Sequence, residues 1–307
     1  MAVYDSFYGF VAPPFSLNPD PRFLFLSRQH REALAGLMYA VSDAKGFAVL
    51  TGEVGTGKTT LVHTLLSEFA DRAKSAFVFN PGMSRRDLYR YLLAEFRLEA
   101  QPSVEAATRT LREFLLEQFR DGRRVVVVMD EAHALSVELL EEVRLLCNFE
   151  TSQAKLLQVL LVGQPELAER LAQSALRQLR QRVAVRLELR PFTFCETIDY
   201  VSSRLQTAGR TDDLFTEGGL ASLYRFSGGS PRLINVLCDT ALLSGFAHDQ
   251  SLIDSGTIRR AARSLMLPPL GRAGIRQRLL ARYRQRTESP ALAAVTQMGL
   301  RQVGTVK

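Results

Sequence analysis

The chain has 307 residues, 46% of them hydrophobic and 23% charged, with a formal net charge of +7. Such proportions suit a folded chain of about two domains and exclude a low-complexity or repeat polymer. The positive excess is local: residues 267–307 hold eight Lys/Arg and one acid, so the rest of the chain is neutral and the basic pI says nothing of its partners.

From the N-terminus, MAVYDSFYGF lacks the basic-then-apolar pattern of a secretory signal. The longest apolar run, VVVVM at 125–129, is strand-sized, whereas a bilayer span needs roughly 20 residues. Cytoplasmic residence is therefore expected. The first strand is predicted at FAVLTGE (47–53), followed by a glycine-rich loop and a helix from LVHTLLSEFA. A second strand is predicted at SAFVFNP (75–81). SRRDLYRYLLAEF then reads as a helix with Ser84 at its N-cap and Asp87 three residues on. In SVEAATRTLREFLLEQFRDG, Leu111, Leu115 and Phe119 recur every four residues, and the helix should stop near Gly122. Strands follow at VVVVMDE (125–131), LLQVLLVG (156–163) and VAVRLELRP (183–191), with the helix SVELLEEVRLLCNF after the first of them. Continuous Val/Leu without alternation predicts strands covered on both faces. Alternating strands and helices predict an α/β domain with a parallel five-stranded sheet, spanning 1–191. Residues 192–266 carry only helical patterns and are predicted to form a small all-α domain. LPPLG (267–271) reads as a linker, and residues 272–286 of the basic tail as a further helix. Cys147, Cys195 and Cys238 are odd in number and far apart, and the four histidines do not cluster, so buried reduced thiols are expected rather than disulfides or structural zinc.

The stretch TGEVGTGKTT carries the clearest chemistry. Gly52, four residues, then Gly57, Lys58 and Thr59 form a phosphate-loop pattern between strand and helix. Gly52, Glu53, Val54, Gly55, Thr56, Gly57, Lys58, Thr59 and Thr60 are the candidate phosphate-binding residues. Glycines allow the backbone to curl so that successive N–H groups face an anion, and the helix N-terminus adds positive dipole. Lys58 offers a point charge to the β- and γ-phosphates, and the Thr59 hydroxyl a ligand to Mg²⁺. The strand VVVVMDE ends in a second ligand, Asp130, and in Glu131, placed to polarise an attacking water. Gln164 ends the next strand, where a polar side chain would feel the γ-phosphate. Arg177, Arg180, Arg182 and Arg186 precede or enter the last strand; Arg182 and then Arg177 are the leading candidates to reach a neighbouring copy's nucleotide. In SGGSPRLINVL, Ser230 is the expected cap, Pro231 opens the helix, and Arg232 lies in its first turn. A cation there opposes the helix dipole and therefore points to a partner anion. DEAH invites a helicase reading, but the chain offers one nucleotide domain where such helicases use two, and His133 is read as a local polar contact.

Together these segments resemble the AAA+ ATPases and, within them, the ExeA/GspA-type general secretion ATPases. FYGFVAPPFSLNPDPRFLFLSRQHREAL, TGEVGTGKTT, MDEAHAL, EEVRLLCNFET, LLVGQPEL, LRQLRQRV and GGSPRLINVLCDTAL follow that family's order over residues 4–266. The resemblance implies ATP and Mg²⁺ at the loop and Glu131 as the activating acid. It also implies Gln164 as first sensor, Arg232 as second sensor, and Arg182 or Arg177 as a trans-acting finger. A homo-oligomer is implied, a ring such as a hexamer, with sites between subunits, working on protein partners of an envelope, secretion or pilus machinery. His133 stands where the family usually has glutamine. Relatives that assemble secretins continue into a membrane helix and a peptidoglycan-binding domain; the basic tail here leads to the expectation of a soluble relative, cytoplasmic or peripheral at the inner membrane. The tail segment 272–286 would meet a membrane surface, DNA or a protein. The alternative function is that of a DNA-binding helper ATPase of the transposition type, and a third is a nucleotide-gated switch with negligible turnover.

Overall fold

A computed structural model describes residues 3–269 except 19, 80, 81 and 153. The basic tail from 270 onward, including the expected helix at 272–286, lies outside the described residues.

The chain divides into two compact units, Gln29–Arg190 and a second made of the residues up to Arg28 with those from Pro191 on. In chain order the helices are α1 (Asp5–Tyr8), α2 (Arg28–Ser42), α3 (Lys58–Glu68), α4 (Arg85–Glu95), α5 (Val104–Arg120) and α6 (Val137–Leu146). They continue with α7 (Glu166–Ala172), α8 (Arg177–Arg182), α9 (Phe194–Thr207), α10 (Glu217–Ser227), α11 (Pro231–Phe246) and α12 (Ser255–Ser264). The strands are β1 (Phe47–Gly52), β2 (Ala73–Val78), β3 (Arg124–Met129), β4 (Gln158–Gly163) and β5 (Val183–Leu189).

The first unit is a parallel five-stranded sheet in the order β2-β3-β4-β1-β5. Helices cover its faces, as parallel connections require. Every residue of β1 and β4 is buried, as are the five residues of β3 after Arg124. This is what uninterrupted Val/Leu runs predict for central strands. The two edges depart from that expectation. In β5 Ala184, Arg186 and Glu188 are exposed and alternate with half-buried residues, and in β2 Lys74 and Ser75 are exposed. An edge strand pairs on one side only, so its polar residues reach water.

The helices that pack on this sheet form where the spacing predicts. Ser84 and Asp87 make the reciprocal capping box of α4. In α5, Leu111 and Leu115 are fully buried and Phe119 packs against the same core. The core joins Phe47 and Val49 of β1, Val127 and Met129 of β3, Leu161 of β4 and Leu92 of α4.

The second unit corrects the expected boundary at 1–191. Its core places Tyr4, Tyr8, Phe10, Phe15 and Phe23 among Tyr200, Leu223, Ile234, Leu237 and Ile258. The Tyr8 hydroxyl donates to the Leu242 and Gln250 carbonyls at 3.2 and 3.1 Å, Val11 N–H to the Ala208 carbonyl at 2.9 Å, and Arg204 to the Pro14 carbonyl at 2.8 Å. The N-terminal residues are thus built into the helical unit. Their aromatic content supplies core that helices of one to four turns leave incomplete. Phe15 is 1% exposed. A Phe15→Ala variant is expected to lose about 3–5 kcal/mol of stability in that unit, read as a lowered denaturant midpoint; an unchanged midpoint would show the segment to be dispensable.

Of the cysteines, Cys147 and Cys238 are buried as expected, and burial pushes the Cys147 thiol up to about 12 and Cys238 well above its ordinary value. Cys195 is exposed, contrary to expectation, at the start of α9. Among the described residues no helix is long and apolar enough to cross a membrane.

Candidate functional site

The first unit assembles its polar groups at the carboxyl end of the sheet, where β1, β3 and β4 run out into loops. β1 ends at Gly52, and a Cβ there would lie 2.5 Å from the Leu189 carbonyl oxygen of the adjoining strand. Only glycine allows that approach. The loop then turns back through Gly57, whose φ of +94° falls in the left-handed region, and enters α3 at Lys58. The first turn of α3 receives no side-chain cap. Its N–H groups therefore meet whatever anion the loop holds.

Internal bonds hold the loop in this shape. Thr56 is buried, and its hydroxyl donates to the Glu53 carbonyl at 2.8 Å. His30 of α2 is buried with Nε2 2.9 Å from the Thr56 carbonyl oxygen. A carbonyl only accepts, so Nε2 carries the ring proton. The Lys58 ammonium, 7% exposed, donates to the Gly52 carbonyl at 2.7 Å and the Glu53 carbonyl at 3.0 Å. Burial lowers its pKa, while the charges of Glu131, Asp130, Glu53 and Glu166 oppose that shift. An ammonium has three N–H groups, so one remains for a ligand. Glu53, Val54, Thr59 and Thr60 are exposed and Gly55 half-buried.

Asp130 and Glu131 leave the end of β3 in different surroundings. Asp130 is 5% exposed; its Oδ2 accepts from the Thr59 hydroxyl at 3.3 Å and its Oδ1 from the Glu131 N–H at 2.9 Å. The Glu131 side chain is half exposed. Glu131 also has a φ of +51°, left-handed for a residue with a Cβ. Such backbone costs of order 1–3 kcal/mol and is kept only where its surroundings enforce it.

Gln164 follows β4 and faces the same corner through His133. The Gln164 amide nitrogen lies 3.1 Å from His133 Nε2, and His133 Nδ1 lies 3.3 Å from Glu131 Oε2. Arg170 of α7 donates to the His133 and Leu135 carbonyls. Neither His30 nor Arg170 was expected at the site. Both act through contacts distant in sequence, and no local pattern announces them.

The arginines stand on α8, β5 and α11. Arg177 begins α8 and Arg182 ends it, both exposed. Arg180 donates to the Ala172 carbonyl and Arg186 to the Arg180 carbonyl, each at 3.0 Å, so these two brace the α8–β5 junction. Arg232 is exposed in the first turn of α11 in the helical unit, after Pro231 at the first helical position. Ser230 is at the N-cap position, but its side chain makes no capping bond, contrary to expectation.

Strand order, loop and acid pair define a P-loop nucleotide-binding domain of the AAA type. A family model described as an AAA domain matches residues 41–171. General secretion pathway protein A of Aeromonas hydrophila is 44% identical over 262 residues, which cover 85% of this chain and 48% of that protein. The chain thus carries an AAA domain and is similar over most of its own length to a general secretion pathway protein. It spans about half the length of that relative.

Solved structures agree in fold. The Aeropyrum pernix ORC2 protein superposes with a TM-score of 0.61 at 18% identity, covering 84% of this chain and 72% of that one. Drosophila ORC bound to DNA gives 0.64 at 18% identity, over 82% of this chain and 64% of that one. Cdc6p of Pyrobaculum aerophilum gives 0.62 at 16% identity, over 82% and 70%. At such identities the likeness is one of fold alone.

Proposed function

We propose that the chain hydrolyses ATP at this corner and uses turnover to rearrange a partner assembly in bacterial envelope export, secretion or pilus biogenesis. One observation carries the reading: the Thr59 hydroxyl beside Lys58 meets the Asp130 carboxylate at 3.3 Å, so phosphate loop and acid pair share one site. Thr59 and Asp130 are hard oxygen donors of the kind Mg²⁺ takes alongside water and nucleotide phosphates, and they would hold that ion. When bound, the ion would draw charge from the terminal phosphates.

Lys58 and the first-turn N–H groups of α3 would grip the phosphates. Glu131, less buried than Asp130, would accept the proton of the attacking water. Gln164 would take the first-sensor position, and Arg232 the second. Exposed Arg177 and Arg182 suit a group that serves a neighbouring copy, which favours a homo-oligomeric ring. The name of the relative supports partners in a secretion pathway.

Steady-state phosphate release from ATP, with Mg²⁺ and with EDTA in its place, tests the reaction. Magnesium-dependent release is expected. Binding without release would leave a nucleotide-gated switch instead. Removing residues 272–307 separates the partner classes. If the tail meets membrane, vesicle binding falls on deletion. Salt-sensitive duplex binding that stimulates hydrolysis and is lost with the tail would favour the DNA-helper alternative.

A further inference from the structure

We propose that His133 is a positioning residue that ties Gln164 to Glu131, so that contact of Gln164 with a terminal phosphate changes how the water-activating acid is held. The proposal rests on the hydrolase reading above and gives a task to a residue outside both the phosphate loop and the acid pair.

His133 lies half-buried in the short turn after β3 (Ala132–Ala134), and both ring nitrogens have polar groups within reach. Nε2 faces the Gln164 side-chain amide at 3.1 Å. Nδ1 faces two groups: Glu131 Oε2 at 3.3 Å and the Gln164 main-chain N–H at 3.4 Å.

A neutral imidazole has one donor and one acceptor nitrogen, so these contacts cannot all be made at once. When the Gln164 NH₂ group faces the ring, Nε2 accepts and the ring proton is on Nδ1. That proton then holds the Glu131 carboxylate. When the amide turns its NH₂ group elsewhere, toward a phosphate oxygen, its own oxygen faces Nε2. The ring proton moves to Nε2, Nδ1 becomes an acceptor, and the Gln164 main-chain N–H satisfies it. Glu131 is then released. The imidazole exchanges one proton between its nitrogens, and the side-chain atoms of Gln164 decide where it resides.

The frame around the ring makes this transmission stiff. Arg170 grips the His133 and Leu135 carbonyls from α7, the helix that Gln164 leads into. A Cβ on Gly163 would stand 3.2 Å from the His133 main-chain nitrogen, so the end of β4 and the turn lie against each other. Gln164, Arg170 and His133 are therefore tied to one another, and the Glu131 side chain is the least enclosed of the four.

The test is kinetic, on the full chain with magnesium–ATP. His133→Ala is expected to lower kcat by roughly 100-fold while leaving nucleotide affinity near that of the parent, as a misplaced acid does. His133→Gln should keep most of the parental rate, because an amide also offers one donor and one acceptor and exchanges them by turning over. Combining His133→Ala with Gln164→Ala should cost little more than Gln164→Ala alone, since the histidine acts through that glutamine. A parental kcat in His133→Ala would overturn the proposal. So would equal loss in the alanine and glutamine variants, or single effects that multiply in the double variant. Nucleotide affinity, measured on each variant, shows that the site has folded. Turnover by the parent and its loss in Glu131→Gln test the hydrolase reading separately, and an inactive parent would defeat both.

Discussion

A Lys58→Ala variant is expected to bind ATP at least about 100-fold more weakly than the parent, measured by titration with a fluorescent or radiolabelled nucleotide. The size follows from where the ammonium sits. It is almost wholly buried and spends two of its three donors on the Gly52 and Glu53 carbonyls. Those bonds aim the third donor and the charge into the curve of the loop. Burial lowers the pKa of this lysine, and the nearby carboxylates of Glu131, Asp130 and Glu53 oppose the shift. A nucleotide's phosphates would add further negative charge and favour the protonated form more strongly. Alanine removes the charge and takes the lysine donor from the Gly52 carbonyl, while the Glu53 carbonyl keeps its bond from the Thr56 hydroxyl. The unfolding midpoint of the variant separates loss of binding from loss of fold. Parental affinity in a folded Lys58→Ala protein would refute the assignment of the loop.

Glu131→Gln should show the opposite profile: nucleotide affinity within about threefold of the parent, and turnover slowed by about 100- to 10,000-fold. Asp130 and Glu131 are adjacent, yet their surroundings divide them. Asp130 is buried and accepts bonds from Thr59 and from the Glu131 N–H, which suits a ligand fixed in place. Glu131 projects from strained backbone with its side chain half exposed, which suits a group that must meet water and take a proton. Glutamine keeps the size and shape of the side chain, exchanges one acceptor oxygen for an NH₂ donor, and removes its charge and basicity. Single-turnover measurements with bound nucleotide would check the chemical step directly. A Glu131→Gln protein that turned over at the parental rate would assign the proton transfer elsewhere.

Much of this was legible in the chain because the relevant physics is local. β1, β3 and β4 announce themselves as unbroken apolar runs since both of their faces are covered. The phosphate loop is legible for the same reason: its glycines, lysine and threonine act within a few residues of one another. The last strand was misjudged because VAVRLEL was grouped with the unbroken apolar runs, although Arg186 and Glu188 fall two apart on the face that is exposed. α2 was missed although its stripe, Ala33, Leu37, Ala40 and Val41, has helical spacing, because alanine adds little hydrophobic contrast between the faces. α7 and α8 are too short for periodicity to show. His30, Arg170 and the bridging place of His133 depend on contacts between segments far apart in sequence, and a residue list cannot rank them.

The helical unit takes its first aromatic residues from one end of the chain and its helices from the other, with the whole sheet intervening; Tyr4 and its partner Asp239 are 235 positions apart. On the ribosome, Tyr8, Phe10 and Phe15 emerge early and must wait, solvent-exposed, until α9 to α12 have been made. The sheet can form in that interval from residues already released. A nascent chain stalled before Phe194 would therefore display a folded nucleotide domain trailing a sticky aromatic leader, a natural target for holding chaperones.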